Sequence, residues 1–209
     1  AQPALSLHTL LAIGPLWGTA DQASSDDLLQ PFFWGYNVSG QRLELLDKAL
    51  DDVDGPGRRT EVDLFLLGAT NLVLAEAKHL GGFGHCSRYV RHRCPEIHRD
   101  NDAHPDPCRY WSMQIALFSR LLEVWPRPGP GSREPPCSRH YQLARTLLLG
   151  QALADLLERQ LHVWVLTPRR RWRALESAWL DFVDRARSDE IWRRLRVIAW
   201  EDLAALAAR

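Results

Sequence analysis

The sequence predicts an α/β fold, a small central mixed β-sheet flanked by helices, on three observations. An amphipathic helix runs directly into two β-rich segments around a short turn, helices and strands alternate through the C-terminal half, and 209 residues with 45% hydrophobic and 25% charged content suffice for a globular core. The expected unit is one domain over 1–209 with a Cys/His-rich insertion at about 79–109.

Each element has a local reason. The first forty residues are broken by Gly and Pro and predict only a short helix from Leu5 to Ala12. Ser39 precedes Gln41 to Asp52, where Leu43, Leu46, Leu50 and Val53 recur at helical spacing and Glu44, Asp47, Lys48 and Asp51 take the other face. Gly55-Pro56-Gly57 ends that helix, and Glu61 to Leu67 and Leu72 to Lys78 flank Gly68-Ala69-Thr70-Asn71 as a hairpin. A further helix starts near Asp106 or Tyr110 and ends before Pro126. A Pro/Gly-rich loop then reaches Pro136, and Ser138 can cap a long helix through about Arg159. Leu161 to Thr167 is a strand ended by Pro168, Arg173 to Arg187 a helix, Arg196 to Trp200 a strand and Glu201 to Ala208 a terminal helix.

Composition narrows the function classes. No apolar run approaches the roughly 18 to 20 residues needed to cross a bilayer, and the first residues lack a charged n-region, so the expectation is a soluble, cytoplasmic protein without a membrane partner. Net charge is zero, but residues 1–63 hold 10 acids against 4 bases and residues 64–209 hold 16 against 22. A balanced total argues against indiscriminate coating of nucleic acid, while the basic C-terminal part suits an anionic partner. The bases are 24 Arg and two Lys, Lys48 and Lys78, so chemistry that needs an amine has few candidates.

The hairpin concentrates the chemistry. With a turn at 68–71, Leu67 faces Leu72, Asp63 faces Glu76 and Glu61 faces Lys78, all four of the polar groups on one face. Opposed carboxylates destabilise a strand pair unless a proton or cation lies between them. Hard oxygen donors favour Mg²⁺ (or Mn²⁺), completed by water and substrate phosphate, and Lys78 stands two residues beyond Glu76 to orient water or offset developing charge. The alternative is an ordinary Glu61–Lys78 ion pair beside a wet sheet edge. Against it, these charges interrupt apolar runs where charge is otherwise avoided.

Glu61-Val62-Asp63, twelve residues, then Glu76-Ala77-Lys78 resembles the signature of the PD-(D/E)xK, or restriction-endonuclease-like, nuclease superfamily, with Val62 where Pro is usual. The resemblance implies a helix, a strand meander, a crossing helix and a further strand, which 41–78, 110–124 and 161–167 can supply. It implies Asp63 and Glu76 as metal ligands, the carbonyl of Ala77 as a third, and Lys78 as the catalytic lysine. Many members carry an assisting acid in the first helix, for which Glu44 is the best match. RecB-like members carry a Gln after the E-x-K strand; Gln114 fits, though Phe118 replaces the Tyr expected four residues later.

Two further groups stand outside the hairpin. All four cysteines, Cys86, Cys94, Cys108 and Cys137, fall in one stretch beside five of the eight histidines, without any C-x-x-C pair. Some RecB-like nucleases hold an iron–sulfur cluster, and a structural Zn²⁺ is the other option for Cys86, Cys94 and Cys108; free thiols are the default. Arg169-Arg170-Arg171-Trp172-Arg173 and Arg193-Arg194-Leu195-Arg196 could track phosphates with Trp172 stacking on a base. The expectation is thus a metal-dependent nuclease hydrolysing DNA phosphodiester bonds, with a homodimer compatible. The rival is a catalytically inactive nuclease fold kept as a nucleic-acid- or protein-binding module, Zn-stabilised in one version.

Overall fold

In the hairpin, Leu67 stands opposite Leu72 and Leu64 opposite Ala75, the register that a turn at 68–71 predicts. The protein is described by a computed structural model covering residues 5–19, 27–56, 59–98, 108–112, 119–123, 129, 133, 134 and 136–208. Its elements are β1 (Leu5–Ser6), α1 (Leu7–Leu11), β2 (Leu28–Phe33), α2 (Leu46–Asp54), β3 (Leu64–Leu67) and β4 (Asn71–Ala77), then α3 (Ser87–Val90), α4 (Arg109–Ser112) and α5 (Pro136–Arg139). The chain continues through α6 (Tyr141–Leu157), β5 (Gln160–Thr167), a 3₁₀ turn (Arg169–Arg171), α7 (Trp172–Val183), α8 (Asp189–Arg193), β6 (Leu195–Ala199) and α9 (Trp200–Ala207).

The six strands form one mixed sheet in chain order, β1 to β6. β1 through β4 are antiparallel and β4, β5 and β6 are parallel, with α6 in the connection from β4 to β5. Alternation along the strands divides the core in two. Leu72, Leu74, Val163 and Val165 join the larger cluster with α2, α6 and α7, while Val73, Ala75, Trp164 and Leu166 join the smaller one with α1. An α/β sheet with helices on both faces is therefore the architecture, as expected. Gly150 lets α6 approach β5 closely: a Cβ there would lie 2.7 Å from Leu161 Cδ1.

Several expectations are corrected. In the first forty residues, where only a short helix is predicted, β2 adds a strand: Pro31 sits opposite Leu66 and the strand completes the antiparallel half. α2 begins at Leu46, not Gln41, because Leu45 adopts a left-handed φ of 60° and the preceding chain folds back, with Leu43 N–H donating to Gly35 O at 2.8 Å. Leu43 is buried without being helical, so the apolar spacing extended too far. In the connection from β4 to β5, α6 packs on the sheet; of the stretch 110–124, residues 113–118, including the candidate Gln114, lie outside the described residues.

Asp27 fixes the hairpin turn. Its buried carboxylate accepts the N–H groups of Ala69 (2.7 Å), Thr70 (2.9 Å) and Asn71 (2.9 Å), the Thr70 hydroxyl and the Asn71 amide. Burial opposes ionisation, but these donors outweigh it and hold the carboxyl at about 2. Gly68 is required because a Cβ would collide with that carboxylate.

Candidate active site

At its other end the hairpin opens. The β3–β4 ladder stops at Leu64↔Ala75, so Asp63 lies in a bend and the expected pairing of Glu61 with Lys78 does not form. Lys78 N–H instead bonds Leu166 O of β5 at 2.7 Å, and Glu61 is exposed. Asp63 is pinned from two sides: its carbonyl accepts Trp34 N–H at 3.1 Å, and its Oδ2 accepts Ala77 N–H at 2.8 Å. That bond brings the first acid of the motif onto the Glu76-Ala77-Lys78 segment.

Glu76 points toward α6, as the parity it shares with Leu72 and Leu74 requires. It is only 1% exposed, and its carboxylate accepts Thr146 Oγ1–H at 2.7 Å and Gln142 Nε2–H at 3.0 Å. The amide of Gln142 turns its oxygen the other way and accepts Lys78 Nζ–H at 2.7 Å, while Lys78 Nζ lies 3.8 Å from Glu76 Oε2. Gln142 thus bridges acid and amine, and Thr167 Oγ1–H donating to Lys78 O at 2.8 Å fixes the lysine backbone. Burial pushes the Glu76 carboxyl above the usual range and the charge of Asp63 adds to it; Thr146, Lys78 and Gln142 offset the rise only in part.

Gln142 and Thr146 were not anticipated. Their signal was present: polar residues four apart, on one face of a helix that is otherwise mostly apolar. Glu44 is exposed and outside α2, and no bond joins it to this group. Of the arginine runs, Arg196 is turned inward. Arg196 is 0% exposed, donates to Leu11 O at 3.2 Å and lies over the Trp164 ring, so it cannot track phosphate. Arg169 pairs with Asp202 and Arg194 with Glu190, and Trp172 packs against the main core.

Beside Gln142 and Thr146 lies a cavity of about 440 Å³, also lined by Arg59, Arg88, Arg109 and Arg145. Gln142 and Thr146 therefore connect the Glu76–Lys78 group to a cleft with four guanidinium groups around it. Asp54, 3% exposed at its side chain, holds Arg145 at 3.1 Å there, and Arg109 is anchored on the carbonyls of Asp51, Asp52 and Val53. Two carboxylates that interact in a buried setting, next to a backbone carbonyl and an amine, suit a hard divalent cation in donor type. Among the described residues, no three metal-ligand side chains form a ready-made metal-holding group. No helix of the described residues is long and apolar enough to cross a membrane.

Comparison with curated proteins and comparison with solved structures gave no match. A family model does match: residues 15–209 fit the one described as Restriction Endonuclease associating with ARP. That span takes in the whole sheet from β2 onward, the Asp63–Glu76–Lys78 segment and α6, and the chain belongs to the REase-ARP family of restriction-endonuclease-like proteins.

Proposed function

We propose that the chain is a metal-dependent nuclease of PD-(D/E)xK type that hydrolyses DNA phosphodiester bonds. The observation that carries this reading is the union, through Gln142 and the Ala77 N–H, of Asp63, Glu76 and Lys78 at one end of the hairpin. Asp63, Glu76 and the Ala77 carbonyl would hold Mg²⁺ or Mn²⁺, which supplies Lewis-acid polarisation of the phosphate and a more acidic bound water. The residues themselves divide the remaining work. Ala77 N–H and Trp34 N–H hold Asp63 in place, and Thr146 and Gln142 orient the Glu76 carboxylate. Gln142 aims the Lys78 ammonium, whose compact charge offsets the charge that builds on phosphate oxygens. The guanidinium-lined cleft receives the phosphodiester backbone by charge, without reading sequence.

The family description names association with ARP, and we carry that relation to this chain only as a companion expectation. The test is incubation of the purified chain with linear, circular and single-stranded DNA in Mg²⁺ or EDTA. Cleavage in Mg²⁺ that EDTA and Asp63→Asn both abolish is the expected result. Intact DNA under every Mg²⁺ and Mn²⁺ condition, with binding retained, would identify a binding module instead.

A further inference from the structure

Beside Asp63 stands a turn whose central residue the fold itself does not explain. Phe33 N–H donates to Tyr36 O at 2.7 Å and Tyr36 N–H to Phe33 O at 2.9 Å, which closes a two-residue loop of Trp34 and Gly35. Both carry positive φ, 51° and 83°, the pattern of a tight hairpin turn that favours Asn-Gly or Asp-Gly. Trp34 is an unfavourable choice there, since a left-handed backbone crowds a bulky side chain. Leu45 accepts the same conformation but packs against the main core. Trp34 has no such compensation, because it is 65% exposed.

The turn is nevertheless fixed in place. Leu43 N–H donates to Gly35 O at 2.8 Å, Arg42 Nη1–H donates to Trp34 O at 3.0 Å, and a Cβ on Gly35 would collide with Leu46. Trp34 N–H on Asp63 O at 3.1 Å fastens the turn to the first acid of the motif. Phe33 pairs with Tyr36, and Tyr36 with Arg42, so these three side chains project from one face. Phe33 and Tyr36 are each about half exposed, and the Arg42 guanidinium lies over the Tyr36 ring, 4.7 Å from its centroid. From Arg42 the link runs on to the cleft: Asp47 Oδ1 accepts Arg42 Nη2–H and Arg59 Nη1–H, each at 2.9 Å, and Arg59 lines the cleft.

We propose that Phe33, Trp34 and Tyr36 form a stacking platform for unpaired bases, and that the substrate therefore presents single-stranded DNA at the scissile phosphate. This rests on the nuclease reading above and names its substrate class. Aromatic faces take bases of any sequence, but a base inside a duplex has both of its faces covered by its neighbours. Only an unpaired base can use the platform. An apolar protein surface would also fit exposed rings, and position decides between the two. The turn lies one hydrogen bond from the Asp63 backbone and one shared carboxylate from a cleft arginine, where a strand bound for cleavage has to pass. A residue kept at a backbone cost with its ring in solvent is also what a ligand contact requires.

The experiment measures binding of the full chain in Ca²⁺, at one salt concentration, to fluorescent single-stranded and blunt duplex DNA of equal length. Trp34→Ala is expected to weaken single-strand binding about tenfold and duplex binding by no more than about twofold. Trp34→Asn guards against misfolding, because Asn tolerates the left-handed turn. Its melting temperature should equal or exceed that of the wild type while single-strand binding falls as in Trp34→Ala, and Trp34→Phe should recover most of the affinity. Wild-type single-strand affinity in Trp34→Asn overturns the proposal, as does an equal loss on duplex. Loss of self-association in that variant with DNA binding unchanged overturns it in favour of a protein contact. Failure of the nuclease reading has a different signature: no cleavage in Mg²⁺ or Mn²⁺, with the single-strand effect of Trp34 intact, leaves the platform standing on a binding module.

Discussion

The two ends of the β3–β4 hairpin each hold a buried carboxylate. At the turn, Asp27 is surrounded by donors from the frame itself, three backbone N–H groups among them, and its carboxyl is held at about 2. At the open end, Glu76 is even less exposed, but its partners are side chains on a helix, and its carboxyl rises above the usual range. A carboxylate satisfied by backbone is spent on holding the fold. One held by Thr146, Gln142 and a nearby lysine keeps lone pairs and an unfavourable charge that a cation can relieve.

Four measurements break or sharpen this contrast. The largest effect is expected at the open end: Asp63→Asn keeps an oxygen for the Ala77 N–H but removes the charge, and should abolish cleavage while the melting temperature stays within a few degrees. Unchanged cleavage would remove the open end from the chemistry. The turn should behave in the opposite way. Asp27→Ala leaves several inward-facing donors without an acceptor and should destabilise by about 3 kcal/mol in denaturant unfolding, with normal cleavage per folded molecule.

Gln142→Ala comes next, because it uncouples Lys78 from Glu76 while both carboxylates and the lysine stay in the chain. Cleavage should fall roughly 10- to 100-fold, with DNA binding in Ca²⁺ preserved. Equal losses of binding and cleavage would make Gln142 a substrate contact rather than a positioning residue. The smallest effect is in pH. The Asp27 carboxyl is depressed from 3.8 to about 2, so its contribution is complete above about pH 4 and is lost as pH falls toward 2. It amounts to about 2 kcal/mol, read as the difference between wild type and Asp27→Asn in unfolding free energy at pH 6 and pH 2.5. A difference that persists undiminished at low pH would locate the stabilising role elsewhere.

The hairpin was legible because two local signals agree: alternating apolar residues on both arms and a four-residue turn between them. The ladder's end was not, since nothing local says that Asp63 bends out to meet Ala77 instead of pairing with Glu76. The identity of the crossing helix was equally hidden. Two stretches of helical pattern lie between β4 and β5, and only packing on the sheet shows that α6 presents a bridging amide, Gln142, to Glu76 and Lys78. Arg196 shows the same limit from the opposite side: in sequence it completes a basic run, yet strand alternation turns it inward beside Trp164. Asp27 reads as one more acid before a strand, because its five donors come from residues more than 40 positions away.

Strand order that copies chain order has a kinetic consequence. The antiparallel half closes through neighbouring segments, so its assembly needs only short searches, whereas β5 must find β4 across an excursion of residues 78–159. Closing a loop of that length sets the slow step of folding, since the entropy of bringing the ends together precedes any reward from pairing.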